Sequence, residues 1–213
     1  LWWRSGRSAR SRMKFDFKGS GQRKLYDTHR LLGLGSLLFL LISVGTATAM
    51  SLPKQVRPIL QMFSPIVRSP ELVSGVAEGR SRIPVDEAMA IAQQRLPQGE
   101  LRWVKVPNKP DGVYAVRFWQ PGEPSNRFPK SYVWVDQYDG QVLAIRNGPQ
   151  DSASDQILTW LYPLHSGEAF GLLGRSLVAL LGLVPAILFF SGLLRWRSKT
   201  ARLRANRQSS KTK

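Results

Sequence analysis

The chain has no cysteine among its 213 residues and only two histidines. Disulfides, thiolate ligands and cysteine-held iron–sulfur clusters are therefore excluded. It also lacks a Gly-rich phosphate loop and any nicotinamide or flavin fingerprint. Acidic residues are scarce at both ends. Residues 1–30 hold 9 Lys/Arg against 2 Asp/Glu, residues 195–213 hold 8 against none, and the remaining 14 basic and 12 acidic residues nearly balance. A net charge of +17 would suit nucleic-acid binding. Here each basic block abuts a long apolar run. The charge then reads as the cytoplasmic flank of membrane spans, and no nucleic-acid partner is expected.

The first run, Leu31 to Met50, is twenty residues without a charge. At a rise of about 1.5 Å per residue it covers roughly 30 Å, the thickness of a bilayer's hydrocarbon core. Gly33, Gly35, Ser36, Ser43, Gly45 and Thr46 are small and permit close helix approach in lipid, which suggests a bundle. A cleavable signal ending at Ala47-Thr48-Ala49 is the rival reading, but the thirty-residue preamble is long for one. The second run, Leu172 to Leu194, carries one charge, Arg175, near its outer end, where a guanidinium can snorkel. Pro185 predicts a kink within it. Trp196 marks the inner interface, and Trp160 and Tyr162 read as interface anchors. Both termini are expected in the cytoplasm and the segment between the spans outside it, with membrane lipid as the surrounding partner.

The expected divisions are a basic segment at 1–30, a span at 31–50, a connector at 51–82 and a folded domain at 83–150. An interfacial segment at 151–171, a span at 172–194 and a basic tail at 195–213 complete the chain. The opening Leu1-Trp2-Trp3-Arg4-Ser5 matches Leu194-Arg195-Trp196-Arg197-Ser198 at four of five positions. That match predicts the stub of a preceding span at 1–3, and a duplicated membrane unit of which this chain is the C-terminal half. Met13 as a true start is the alternative.

In the connector, Pro53, Pro58, Pro65 and Pro70 leave room for one short helix near 54–62. The segment Ile83 to Leu96 predicts a helix. Pro84 suits its first turn, Asp86 and Glu87 complement its dipole, and Ala88, Ile91, Ala92 and Leu96 form a stripe. Alternating runs at Leu101–Val106, Val113–Trp119, Ser131–Asp136 and Val142–Arg146 predict four antiparallel strands, with Asp139-Gly140 as a hairpin turn. The fold class is thus membrane α-helical, two spans with an inserted small α+β domain of one helix on a sheet. Trp103, Phe118, Trp134 and Tyr114 are expected to supply much of that core. Asp136 and Asp139 flank a turn and read as structural acids, so the domain reads as a binding or regulatory module.

Three segments carry a family resemblance. The close YVWVDQYDGQVLAIRN, residues 132–147, resembles the end of a PepSY domain. Tyr26-Asp27-Thr28-His29-Arg30-Leu31-Leu32-Gly33-Leu34 is similar to the start of a span in PepSY-associated transmembrane proteins. The run Leu164-His165-Ser166-Gly167-Glu168-Ala169-Phe170-Gly171-Leu172-Leu173-Gly174-Arg175 is similar to that family's LHTG–x–x–FG–x–x–GR segment and is the most specific match. The resemblance implies an iron-regulated bacterial inner-membrane protein with a periplasmic PepSY domain. Some such proteins are ferric-siderophore reductases with b-type haem between span histidines. Members usually have at least four spans, so part of the ligand set would lie outside this chain.

His29 and His165 stand at opposite membrane boundaries, so they cannot ligate one iron. Each is a candidate axial ligand to a separate haem b, with its partner imidazole from a missing N-terminal membrane half or a second copy of the chain. Arg30 and Arg175 are placed to meet propionates. Hydrogen-bonded interfacial histidines and plain cytoplasmic charge are the alternatives. Two functions stand at this point. One is electron transfer to a ferric siderophore. The other is a non-enzymatic protein whose PepSY domain binds peptide or regulates a protease or partner. A subunit of a transporter is a third.

Overall fold

The computed structural model describes residues 16–67, 71–75 and 79–209. The Leu1–Ser5 copy, the stub at 1–3 and Met13 lie outside the described residues. The chain divides into two compact units. One comprises the chain up to Val44 and from Ser176, and the other runs from Gly45 to Arg175.

The first unit is built from membrane-length helices. Helix α1 spans Gly21–Ser51, and the stretch Glu168–Ala201 is a second apolar helical segment, with mean hydropathy 2.0 and 2.5. Leu37, Leu38, Leu41 and Val44 on one, and Leu180, Phe189 and Phe190 on the other, are exposed. Helices apolar around most of their surface bury it only in lipid. Pro53 ends α1: the residue before a proline is pushed out of the helical region, and a new helix, α2 (Pro53–Gln61), starts with Pro53 in its first turn.

The second span is interrupted. It comprises α5 (Gly171–Leu181) and α6 (Val184–Ser209). Pro185 has no N–H to offer the Leu181 carbonyl, and its ring crowds that position. The break therefore falls at Gly182 and Leu183, ahead of the proline expected to kink the helix. There the Leu183 amide tightens onto the Leu180 carbonyl at 3.1 Å.

The second unit holds the α+β domain. Helix α3 (Val85–Arg95) packs on a meander of β1 (Glu100–Lys105), β2 (Val113–Trp119), β3 (Ser131–Asp136) and β4 (Val142–Arg146), each antiparallel to the next. Strand alternation sends Tyr114, Val116, Phe118, Val133 and Val135 to the helix side, against Ala88, Ala92 and Leu96. Two expected core residues are not there. Trp103 is 47% exposed and Trp134 only half-buried. Trp103 pairs with Arg117, and Trp134 with Ala115 and Ala144, all on the face turned away from α3. An irregularity between Leu101 and Trp103 resets the parity of β1, so Leu101 and Val104 take the inward rows opposite Phe118 and Val116.

The segment after β4, expected as an interfacial stretch, is a regular helix, α4 (Ala153–Ser166). Ser152 caps its start by accepting from the Asp155 amide at 3.1 Å, and Gly167 ends it in the left-handed region at φ 75°.

Candidate functional site

Each histidine is held by a hydroxyl. In the first unit, His29 Nδ1 lies 2.8 Å from Ser191 Oγ, and that hydroxyl donates to the Leu188 carbonyl at 3.1 Å. In the tautomer that carries its proton on Nδ1, His29 donates to Ser191, whose own proton goes to Leu188, and the lone pair lies on Nε2. Gly192 keeps the approach close, since a Cβ there would stand 3.4 Å from His29 Cε1.

His29 lines a cleft of ≈ 700 Å³ whose walls include Tyr26, Gly192, Arg195, Trp196 and Lys199. That volume lies within the range of small-molecule and cofactor sites. The Arg195 guanidinium sits 4.5 Å from the Tyr26 ring centre. Neither Arg195 nor Lys199 has a carboxylate partner among the described residues. Arg30 is differently placed. It pairs at 3.0 Å with Asp27, a fully buried carboxylate that also takes Arg23 at 3.2 Å. Arg30 is thus engaged in fixing the start of α1, and the cations lining the cleft come from α6.

In the second unit, His165 Nδ1 lies 3.2 Å from Thr46 Oγ1. The turn after His165 is tightly specified. Gly167 and Gly174 meet backbone to backbone: a Cβ on Gly174 would fall 2.2 Å from the Gly167 carbonyl oxygen, and one on Gly167 would fall 2.4 Å from that of Gly174. Glycine is required at both. Glu168, between them, reaches the loop that joins β2 to β3. Its carboxylate accepts from the Asn126 and Arg127 amides at 3.0 and 3.1 Å and from the Ser125 hydroxyl at 3.1 Å. Arg175 stands 3.7 Å from the same carboxylate, with its side chain 58% exposed. It balances Glu168 while remaining open to a second anion.

Asp136 and Asp139 belong to the turn, as expected. Asp136 accepts from the Gly75, Tyr138 and Asp139 amides at 2.6, 2.7 and 3.3 Å. Its partial burial acts to raise the carboxyl pKa, but these amides and Ser74 outweigh it and hold the group below the usual carboxylate range. Gly140, at φ 72°, completes the turn against Ile91.

Sequence reading found both histidines but missed Ser191, Thr46, Glu168, Arg195 and Lys199 as their surroundings. Serine and threonine in a span read equally well as small packing residues, and Glu168 bonds a loop some forty residues away. Asp27 was within reach, since its spacing from Arg23 and Arg30 is that of helical ion pairs.

Among the described residues no group of three or more His, Asp or Glu side chains is placed to hold a bare metal ion. A family model described as the PepSY-associated TM region matches residues 1–199. A search of curated proteins finds no match.

Proposed function

The chain belongs to the family of the PepSY-associated TM region, and on that premise we propose that it is a membrane redox protein that passes electrons through haem to ferric siderophores. The observation that carries this reading is His29. Its Nδ1 is tied to Ser191, its Nε2 has no hydrogen-bond partner among the described residues, and it lines a cleft whose cations, Arg195 and Lys199, have no carboxylate partner among those residues. This is the orientation device metal-binding histidines use: the outer nitrogen is fixed so that the inner one presents its lone pair. His165 has the corresponding Nδ1-to-hydroxyl contact with Thr46.

Haem b, when bound, supplies a one-electron Fe(III)/Fe(II) couple tuned by its axial ligands. The residues here fit it. His29 and His165 would each hold the iron through an imidazole nitrogen. Arg195 and Lys199 offer positive charge to carboxylates at the first site, and Arg175 does so near the second. Arg30 contributes by holding Asp27 at the start of the helix that carries His29. A second ligand at each site would come from another membrane segment or a second copy of the chain. The donor is the quinone pool or a cytoplasmic reductant, since the chain has no nicotinamide or flavin fingerprint. The protein sits in the bacterial inner membrane, with both basic termini cytoplasmic and the α+β domain periplasmic.

A dithionite-reduced minus oxidised spectrum of protein purified in detergent from haem-replete membranes tests this. Sharp b-type bands are expected, with about half the amplitude lost in His29→Ala and half in His165→Ala. A flat spectrum despite added haem would remove the reading.

A second reading has its own observation. Strand β1 is an open sheet edge, with Leu101, Trp103 and Val106 exposed. Such an edge can pair with an extended peptide, as a non-enzymatic PepSY module regulating a partner would require. Capture of a peptide by β1 in a protein without haem would favour it.

A further inference from the structure

The face of the sheet turned away from α3 carries a row that neither histidine site uses. Across β1, β2, β3 and β4, register aligns Trp103, Arg117, Tyr132 and Arg146. The Arg117 guanidinium lies between two rings, 4.3 Å from the Trp103 centroid and 4.4 Å from that of Tyr132. Tyr132 stacks in turn on Trp134, at 5.2 Å and 13° between planes.

The two arginines of this row differ in one respect. Arg146 has two carboxylates, Asp151 at 2.6 Å and Asp155 at 3.3 Å. Arg117 has no ion pair and no hydrogen bond among the described residues, and its Nε is buried without a partner. Glu123 is the nearest acid felt by Arg117, but its carboxylate is taken up by the Gln120, Lys130 and Ser131 amides. Lys130, half-buried, is held below the usual lysine range first by burial and then by repulsion from Arg117, Arg146 and Arg57, which Glu123 partly offsets. Burial pushes the Arg117 guanidinium down to about 10, so it remains charged at neutral pH. A partly desolvated cation that makes no ion pair, and feels only the Glu123 charge, is costly. Its cost is offset when an anion docks.

The geometry also selects the anion. The guanidinium carbon lies over both rings, and the N–H fork it carries matches two adjacent oxygens. Trp103 stands beside it, 47% exposed, as a stacking platform. We infer that this face, with Arg117 clamped by Trp103 and Tyr132 beside Lys130, binds an anionic aromatic ligand with paired oxygens. The identification of that ligand as the ferric chelate, in catecholate form, rests on the redox reading above. The binding site itself does not. The position is apt, because Trp103 leads through Phe128, at 6.2 Å, to Tyr162 at 4.8 Å, one turn before His165 on α4.

The test uses a chelate that cannot be reduced. Binding of Ga(III) tris(2,3-dihydroxybenzoate) to the full chain in detergent is followed by calorimetry, with an uncharged Ga(III) trihydroxamate as contrast. The wild type is expected to bind the catecholate saturably and the hydroxamate at least ten times more weakly. Arg117→Gln and Lys130→Gln should each weaken catecholate binding about ten-fold or more, and Arg117→Lys should not restore it. Lys130→Gln keeps the test decisive if Arg117→Gln unfolds, as judged by circular dichroism. Equal binding by variants and wild type would overturn the inference, as would no saturable binding because protein covers the face. Haem bands without chelate binding would sink this inference alone. Chelate binding with a flat haem spectrum would sink the redox reading and leave an anion-binding domain.

Discussion

At the scale of single residues, the hydroxyl behind each histidine is the most informative neighbour. Ser191→Ala leaves His29 in place but removes what fixes its tautomer. Haem affinity at that site is expected to fall about 10–100-fold, read by titrating haem into depleted protein, while Ser191→Thr keeps most of it. Unchanged affinity in Ser191→Ala would mean that Ser191 does not orient the ring. A different constraint operates at Gly174. An alanine methyl there meets the Gly167 carbonyl, which is backbone and cannot rotate away. Gly174→Ala should cost about 1–3 kcal/mol, visible as a lower Tm, whereas alanine at Gly35, which has nothing near its Cβ, should be silent. Asp136 gives a pH signature. Because its folded pKa lies below the unfolded value of about 3.9, its contribution is complete above that value and is lost as pH falls through the folded one. Asp136→Asn should therefore be less stable at neutral pH, with a flatter acid limb in a pH series of Tm values.

At the scale of elements, β2, β3 and β4 were legible to the residue, because each is a short run rich in apolar and β-branched or aromatic residues bounded by turn residues. Strand β1 was legible as a strand but not in its facing. A single irregularity after Leu101 sends Trp103 outward, and large aromatic residues invite the opposite assumption. The contrast is measurable. Phe118→Ala empties the core and should cost about 3–5 kcal/mol, while Trp103→Ala should cost at least about 2 kcal/mol less. Equal losses in thermal or denaturant unfolding would return Trp103 to the core. Helix α4 went unread although Ser152, Asp155 and Gly167 are its start and stop signals. Trp160 and Tyr162, read as interface anchors, made it look like a membrane border. In the second span, proline announced an irregularity, but its position is set by the carbonyl four residues earlier and not by the proline itself. The histidines were legible because imidazole is rare in this chain. Their partners were not, because a hydroxyl 162 residues from His29 leaves no local trace.

At the scale of the whole molecule, the absence of cysteine makes topology easy to interrogate. Single cysteines at Ser20 and Lys199 should react with an impermeant maleimide only after the cytoplasmic side is opened, and one at exposed Asn108 should react in intact spheroplasts. The same labelling at all three positions would refute the proposed arrangement of termini and domain. The unequal charge of the ends is the sequence feature behind this expectation, and it was legible at once, since it depends on composition and not on folding. The α+β domain follows from apolar periodicity with its cap and turn residues, and the two spans from uncharged apolar length. What composition could not supply was that Arg117 makes no ion pair among the described residues, which emerges only when strand register sets its neighbours.

The grip of Glu168 on main-chain amides has a mechanical consequence. A side chain that held another side chain would let either one swing. Here a carboxylate clasps the backbone of the β2–β3 loop from a turn whose two glycines are in contact, so loop and turn move as a single rigid lever. Any pull on that loop, from whatever lands on the sheet, is delivered as torque three residues beyond His165.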